Sequence, residues 1–228
     1  MDNPWGSVIV NPRGDAKDLS INNVHPIFDS QTGEQCVAIF KGTNARSLSV
    51  AGSHRYANKH ESSYCGSSSK YLIADSAHSI NCFQSATKAI MDTYTFLSID
   101  YTSIQFHRMG SRTCPGVDAF FTHGSSIIPL SKEKVTIVRN SVINKMNSSS
   151  GIFTVPGDLP FCKLTGGSNI QGRLINGIIP KDVCHTKVSS YSGRFIHVES
   201  KMWLRNKDMH QCWIDAVNAA YIEFLKNS

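Results

Sequence analysis

The chain breaks into short apolar runs rich in Val, Ile, Thr, Phe and Tyr, separated by clusters of Gly, Ser, Asn and Pro. The runs are QCVAIFKG (35–42), KYLIADS (70–76), TYTFLSI (93–99), YTSIQFHRM (101–109), AFFTHG (119–124), KVTIVRNSV (134–142), GIFTV (151–155), PFCKL (160–164), RLINGII (173–179) and GRFIHVES (193–200). β-branched and aromatic residues at such spacing suit half-buried strands. No long helical period interrupts them, so the pattern predicts an all-β protein, a sandwich or a pair of barrels. The C-terminus departs from this. From Asn206 onward, Met209, Trp213, Val217, Ala220 and Phe224 share one helical face. Asn206 is placed to cap that helix, and Lys226 lies in its last turn, where the helix dipole favours a cation.

GSRTCPG (110–116) divides the strand series near its middle. The expected organisation is a turn-rich surface segment over 1–32, an N-terminal β-barrel over 33–109 and a linker over 110–116. A C-terminal β-barrel over 117–205 and a helix over 206–228 complete it. SSYCGSSSK (62–70) and NSSSG (147–151) read as hairpin loops.

Composition narrows the class. With 40% hydrophobic and 18% charged residues the chain reads as globular. The net charge of +6 comes from scattered Lys and Arg, which give a solvated surface rather than a nucleic-acid footprint. No apolar window is long enough to span a membrane. The N-terminus MDNPWGSVIVNPRGD lacks the layout of a secretory signal. Seven cysteines (36, 65, 82, 114, 162, 184, 212) form an odd set with no CxxC pair. That disfavours a closed zinc site and a fully paired disulfide framework, so reduced thiols in the cytoplasm are expected, with no metal or other cofactor. Asn147-Ser148-Ser149 fits a glycosylation triplet.

Candidate chemistry begins at His78, which follows the run YLIADSA on a corner of small residues. Such a placement suits a general base presented at a strand end. Asp100, 22 residues further on, opens the alternating segment DYTSIQF and suits an orienting carboxylate. The third feature is GIFTVPGDLPFCKLTGGSNIQGRLINGII (151–179), a series of short strands joined by a Pro-Gly-Asp turn and a Gly-rich loop.

In this order, YLIADSAH, DYTSIQF, GDLPFCKL and GRLINGI resemble the LTAAH, DIALL, GDSGGPLV and pocket-lining GI segments of chymotrypsin-like proteases of the PA clan. The style is that of RNA-virus enzymes that process polyproteins. The resemblance covers roughly residues 34–226. It implies two six-stranded antiparallel barrels and a C-terminal helix, with His78 as base and Asp100 as its orienter. It also implies a polypeptide substrate in the inter-barrel cleft and a host-cytoplasmic location.

The match breaks at the nucleophile. Leu159 stands where the family has Ser or Cys, and Pro160 offers no N–H to an oxyanion hole. Cys162 is a weak substitute, because Pro160 sits where a donor is needed. Ser192 follows the GI-like strand too late to complete a barrel. Ile179 replaces the pocket histidine of Gln-directed members. His123, His185 and His197 read as ordinary surface or strand residues. The alternative is a homologue without a nucleophile, repurposed as a binding module or as a metal-independent cyclic-dinucleotide nuclease similar to the poxins. The HxFPG segment associated with poxins is absent. Oligomeric state is not legible in the chain.

Overall fold

The computed structural model describes residues 6–65, 72–146 and 151–227. Seven strands form one sheet: β1 (Ser7–Val10), β2 (Lys17–Asn23), β3 (Ala45–Val50), β4 (Thr102–Arg108), β5 (Ala119–Thr122), β6 (Phe153–Thr154) and β7 (Phe195–Ser200). Their order across the sheet is β1-β3-β2-β4-β7-β5-β6. The central strands β3, β2, β4 and β7 run parallel to one another, and antiparallel joints occur at β1–β3 and β5–β7. Five helices accompany the sheet: α1 (Thr32–Thr43), α2 (Cys82–Phe96), α3 (Lys134–Lys145), α4 (Ile170–Ile175) and α5 (His210–Lys226).

This mixed α/β fold replaces the expected pair of barrels. β2 comes from the segment expected to wrap the surface. β4 and β7 come from the two expected halves, yet they pair in parallel from Ser103↔Phe195 to Arg108↔Ser200. One continuous sheet therefore runs through the whole chain, and there is no groove between barrels for a substrate to enter.

The runs 101–109, 119–124, 151–155 and 193–200 do contain β4, β5, β6 and β7. Others are helical. QCVAIFKG lies in α1, where Cys36, Ile39 and Thr43 are buried at helical spacing. KVTIVRNSV lies in α3, TYTFLSI starts in the last turn of α2, and RLINGII starts in α4. PFCKL forms turn and coil instead of a strand, and of KYLIADS only Leu72 bridges to Glu61, its first two residues lying outside the described chain. The hairpin expected over 147–151 and the Asn147 triplet also fall largely outside the described residues. The C-terminal helix is present and buries Trp213, Val217, Ala220 and Phe224. It begins at His210, after two 3-10 turns, Met202–Arg205 and Lys207–Met209. Among the described residues no helix is long and apolar enough to cross a membrane.

The two faces of the sheet differ in chemistry. Leu19, Ile21, Leu48, Ile104, Phe106, Phe121, Ile196 and Val198 form a core with α1, α3 and α5. Trp213 meets Phe106 edge-on at 5.4 Å and donates its indole N–H to the Leu204 carbonyl at 2.7 Å. The alternating positions carry Ser20, Asn22, Ser47, Ser49, Ser103, Gln105, His107 and His197, all buried. They satisfy one another in part. Asn22 donates to Ser103 Oγ at 3.0 Å, and Ser47 donates to Ser20 Oγ at 3.0 Å. Helix α4 closes part of this polar face, and it approaches so tightly that a Cβ on Gly172 would lie 2.5 Å from the Phe195 ring.

Two disulfides, Cys65–Cys184 and Cys114–Cys162, correct the expectation of reduced thiols. The odd cysteine count concealed two pairs, leaving Cys36, Cys82 and Cys212 as thiols. Each bond closes a long loop and restricts the unfolded chain, worth typically about 2–4 kcal/mol. Reduction is expected to lower Tm by several degrees in a calorimetric scan. Trp213→Ala, which empties the core of its largest side chain, is expected to cost about 3–5 kcal/mol in urea unfolding.

Candidate metal centre

The C-terminal ends of β2, β4 and β7, three adjacent strands pointing the same way, converge on one spot. In open α/β sheets this end is where ligands bind, because loops there can carry chemistry without disturbing the sheet. His25 follows β2 directly. A turn in which the Asp29 N–H donates to the His25 carbonyl at 2.8 Å brings Asp29 back beside it. His107 lies near the end of β4, and its partner in register on β7 is Glu199.

His25 Nδ1 stands 3.4 Å from Asp29 Oδ2, and His107 Nδ1 stands 3.3 Å from the same oxygen. The three ligand atoms lie within 4.8 Å of one another. All three residues are buried, and neither His25 Nδ1 nor Asp29 Oδ2 makes a hydrogen bond. A buried polar atom without a partner is costly, and here two face each other. The other ring nitrogens explain why. His25 Nε2 meets Asp75 Oδ1 at 2.7 Å, and His107 Nε2 meets Gln105 Oε1 at 2.8 Å. Both acceptors are oxygens, so each imidazole carries a proton on Nε2, which leaves Nδ1 as the atom turned inward and available to an ion. Carboxylate or amide oxygens behind ligating histidines are the usual second layer of a metal site.

The spacing fits an ion. Four ligands at zinc's usual bond length of 2.0–2.1 Å define a tetrahedron with edges of about 3.3–3.4 Å. Octahedral cis edges at the same radius would be about 2.9 Å, which disfavours a magnesium-like centre. Two histidines and a carboxylate form a donor set found in catalytic zinc sites. His25, Asp29 and His107 thus fit a divalent ion.

Electrostatics agree. Burial works to raise Asp29, but the close approach of the His107 and His25 rings holds its carboxyl well below the ordinary range. Asp75 is likewise held low against burial by His25 and His78. Burial keeps His107 below the usual imidazole value and His197 far below it, so both stay neutral. Glu199 behaves oppositely: burial, then the charge of Asp29, pushes its carboxyl up to about 8. Its nearest ring is His197, at 3.9 Å.

His25, His107, His197 and Glu199 line a cavity of about 680 Å³ that also takes in Arg55, His78, Gly166, Arg173, Lys163 and Lys187. Arg55 pairs with Asp75 and lies over the rings of Phe28 and Tyr56. The Gly-rich segment crosses directly above His197. Gly166 has φ of +60°, and a Cβ there would sit 2.9 Å from the imidazole.

The residues singled out from sequence are distributed unevenly. His78 is in the cavity wall, with Nδ1 3.2 Å from Asp75 Oδ2 and Nε2 3.1 Å from Ser168 Oγ. Its carboxylate neighbour is therefore Asp75, three residues away in the chain. Asp100 is exposed just before β4 begins, about 20 Å of strand from the end that carries His107. It binds Lys134 at 2.5 Å and Arg194 at 3.1 Å. Cys162 is not a nucleophile candidate, since its sulfur is bonded to Cys114. Leu159 packs against the small cluster around that disulfide. Ser192 is tied to Asn176, and Ile179 is exposed. His123 and His197, expected as ordinary residues, are both buried. His123 stacks on Tyr191 at 3.9 Å, and its Nε2 lies 3.1 Å from Glu133. Sequence reasoning missed His25, Asp29, His107 and Glu199. The available signal was positional: HPIFD, QFHR and HVES each place a potential ligand at the end of an apolar run.

No family model matches the sequence, and no curated protein does. Solved structures do match in fold. A bacteriophage poly-gamma-glutamate hydrolase aligns over 100% of this chain and 93% of its own, at 12% identity and a TM-score of 0.52. A gene product of Agrobacterium tumefaciens aligns over 100% and 96%, at 10% identity and 0.60. N-formylglutamate amidohydrolase from Ralstonia eutropha JMP134 aligns over 98% of both chains, at 12% identity and 0.54. The likeness is one of fold. It overturns the resemblance to chymotrypsin-like proteases, and the viral polyprotease and repurposed-barrel readings fall with it.

Replacing Asp75 by Asn removes the charge that holds His25, His78 and Arg55. The expected cost is about 3–5 kcal/mol, the range for stranding a buried charge, measured by urea unfolding.

Proposed function

We propose that this protein is a metal-dependent hydrolase acting on an amide bond, of the amidohydrolase or metallopeptidase type. The observation that carries the proposal is the inward meeting of His25 Nδ1, Asp29 Oδ2 and His107 Nδ1, two of which are buried without a hydrogen bond. The fold neighbours support it, since one is named a hydrolase of poly-gamma-glutamate and another an amidohydrolase of N-formylglutamate.

A divalent ion held by His25, Asp29 and His107 would supply Lewis-acid polarisation of a carbonyl and make water acidic enough to attack near neutral pH. Asp75 and Gln105 keep both imidazoles in the tautomer that ligation requires. Glu199, beside His107 across the β4–β7 register, would take the proton of the attacking water and return it to the leaving nitrogen once the positive charge of a bound ion brings down the carboxyl that burial holds up. Arg55, fixed by Asp75, adds positive potential over the cavity, which favours a tetrahedral oxyanion. His197 and the Gly166 backbone pack behind the site and restrict water.

An amide-bearing substrate, peptide or acyl amino acid, is the partner this reading assigns to the cavity. The two disulfides favour an oxidising compartment over the cytoplasm.

Elemental analysis of purified protein is expected to find about one zinc per chain, lost in His107→Ala. Hydrolysis of a panel of acyl amino acids and peptides, followed by release of free amine, should stop on chelation and return with zinc. Glu199→Gln should retain the metal and lose roughly a hundred-fold or more in kcat. Protein that takes up no divalent ion at micromolar concentrations would refute the proposal. Gly166→Ala, which forces the His197 ring aside, is expected to reduce turnover with metal content unchanged.

A further inference from the structure

The cavity contains a cation that the ion site and its supporting residues leave unused. Arg173, on α4, is only 5% exposed. Its guanidinium donates through Nε to the Gly167 carbonyl at 2.9 Å and through Nη1 to the Val183 carbonyl at 2.8 Å. Both acceptors are neutral. Among the described residues no carboxylate forms an ion pair with Arg173, and no acceptor takes the protons of Nη2. A guanidinium cannot shed its charge to escape burial. A buried cation without a counter-charge is costly, so such groups are normally paired. The contrast within the cavity is direct: Arg55 has Asp75, whereas Arg173 has no acid.

Its position is also fixed. The two carbonyl bonds hold the guanidinium plane, with Nη2 as the edge left over. Gly167 belongs to the segment that crosses His197, and Val183 adjoins the Cys65–Cys184 disulfide, so both supports are braced. Lys163 and Lys187, exposed at the rim of the same cavity, add positive charge and have no ion pair of their own among the described residues. An edge of paired N–H groups beneath a basic rim is suited to a carboxylate.

We propose that Arg173 is the specificity-determining anchor of this site, binding through Nη2 a carboxylate of the substrate, whose class is therefore an acidic amide. This deepens the hydrolase reading and rests on it for the identity of the reaction, but not for the binding of the anion.

The test uses isothermal titration with glutarate and with glutaramide, which differ in charge and little in shape, on both metal-stripped and zinc-loaded protein. Stripped wild-type protein is expected to bind glutarate at least roughly ten-fold more tightly than glutaramide, the lower range for a hydrogen bond to a charged group. Arg173→Lys should reduce glutarate affinity by about ten-fold or more, since lysine cannot hold both carbonyls and still present an edge. Lys207→Gln, far from the cavity, should leave it unchanged. On a hydrolysed acidic substrate Arg173→Lys should raise KM more than it lowers kcat, a split that a purely structural role would not produce. Equal affinity for the two ligands in wild-type protein overturns the proposal, and that comparison needs no variant to fold. So does full glutarate binding by Arg173→Lys, or a loss that follows Lys163→Gln or Lys187→Gln instead. Absence of zinc with glutarate binding intact would refute the hydrolase reading alone.

Discussion

The site depends on one buried carboxylate. Oδ1 of Asp75 meets His25 Nε2 and accepts the Ala77 N–H, while Oδ2 meets Arg55 and His78. Burying a carboxylate is costly, and here the cost is offset by four donors, three of them able to carry charge. The same contacts fix the His25 tautomer, the placement of Arg55 and the inner face of His78. Asp75 itself lies in irregular chain between β3 and α2, so a loop residue sets the geometry of the candidate ligand His25, carried at the end of β2.

The scaffold makes this arrangement possible by giving its sheet two chemistries. One face is aliphatic and aromatic and supplies the core with α1, α3 and α5. The other is buried but polar, with serine, asparagine, glutamine and histidine side chains bonded across strands. Such a face costs stability unless its groups find partners. It also provides a ready support for a site at the strand ends, since Gln105 of that face fixes His107 while Asn169 and Gln171 hold Gln105 in turn. The polar sheet face and the residues behind His107 are thus one hydrogen-bonded continuum.

That chemistry also explains what could be read from the chain. β4 and β7 alternate apolar and polar residues, a pattern more usual in antiparallel sheets with one wet face, whereas parallel strands covered on both sides usually read as unbroken apolar runs. Taken at face value the alternation pointed to barrels. The helices α1 and α3 were obscured by β-branched residues, Val135, Thr136, Ile137, Val138 and Val142 among them, whose burial in α3 overrides their strand preference. His78 was legible as a residue of interest and does line the cavity. Its assumed carboxylate, Asp100, belongs to the opposite end of β4. Cys162 carried no local mark of its bond to Cys114.

By itself the sequence determined the elements whose pattern is local: β4, β5 and β7, the C-terminal helix with its Trp213 face, and the apolar runs that end in histidine or glutamate. Tertiary structure alone decided which of those ends meet. His25, His107 and Glu199 lie far apart in the chain, and only the parallel order β2-β4-β7 brings them together. Non-local strand pairing leaves no spacing in the sequence to reveal it, because the intervening chain is taken up by crossovers of unequal length.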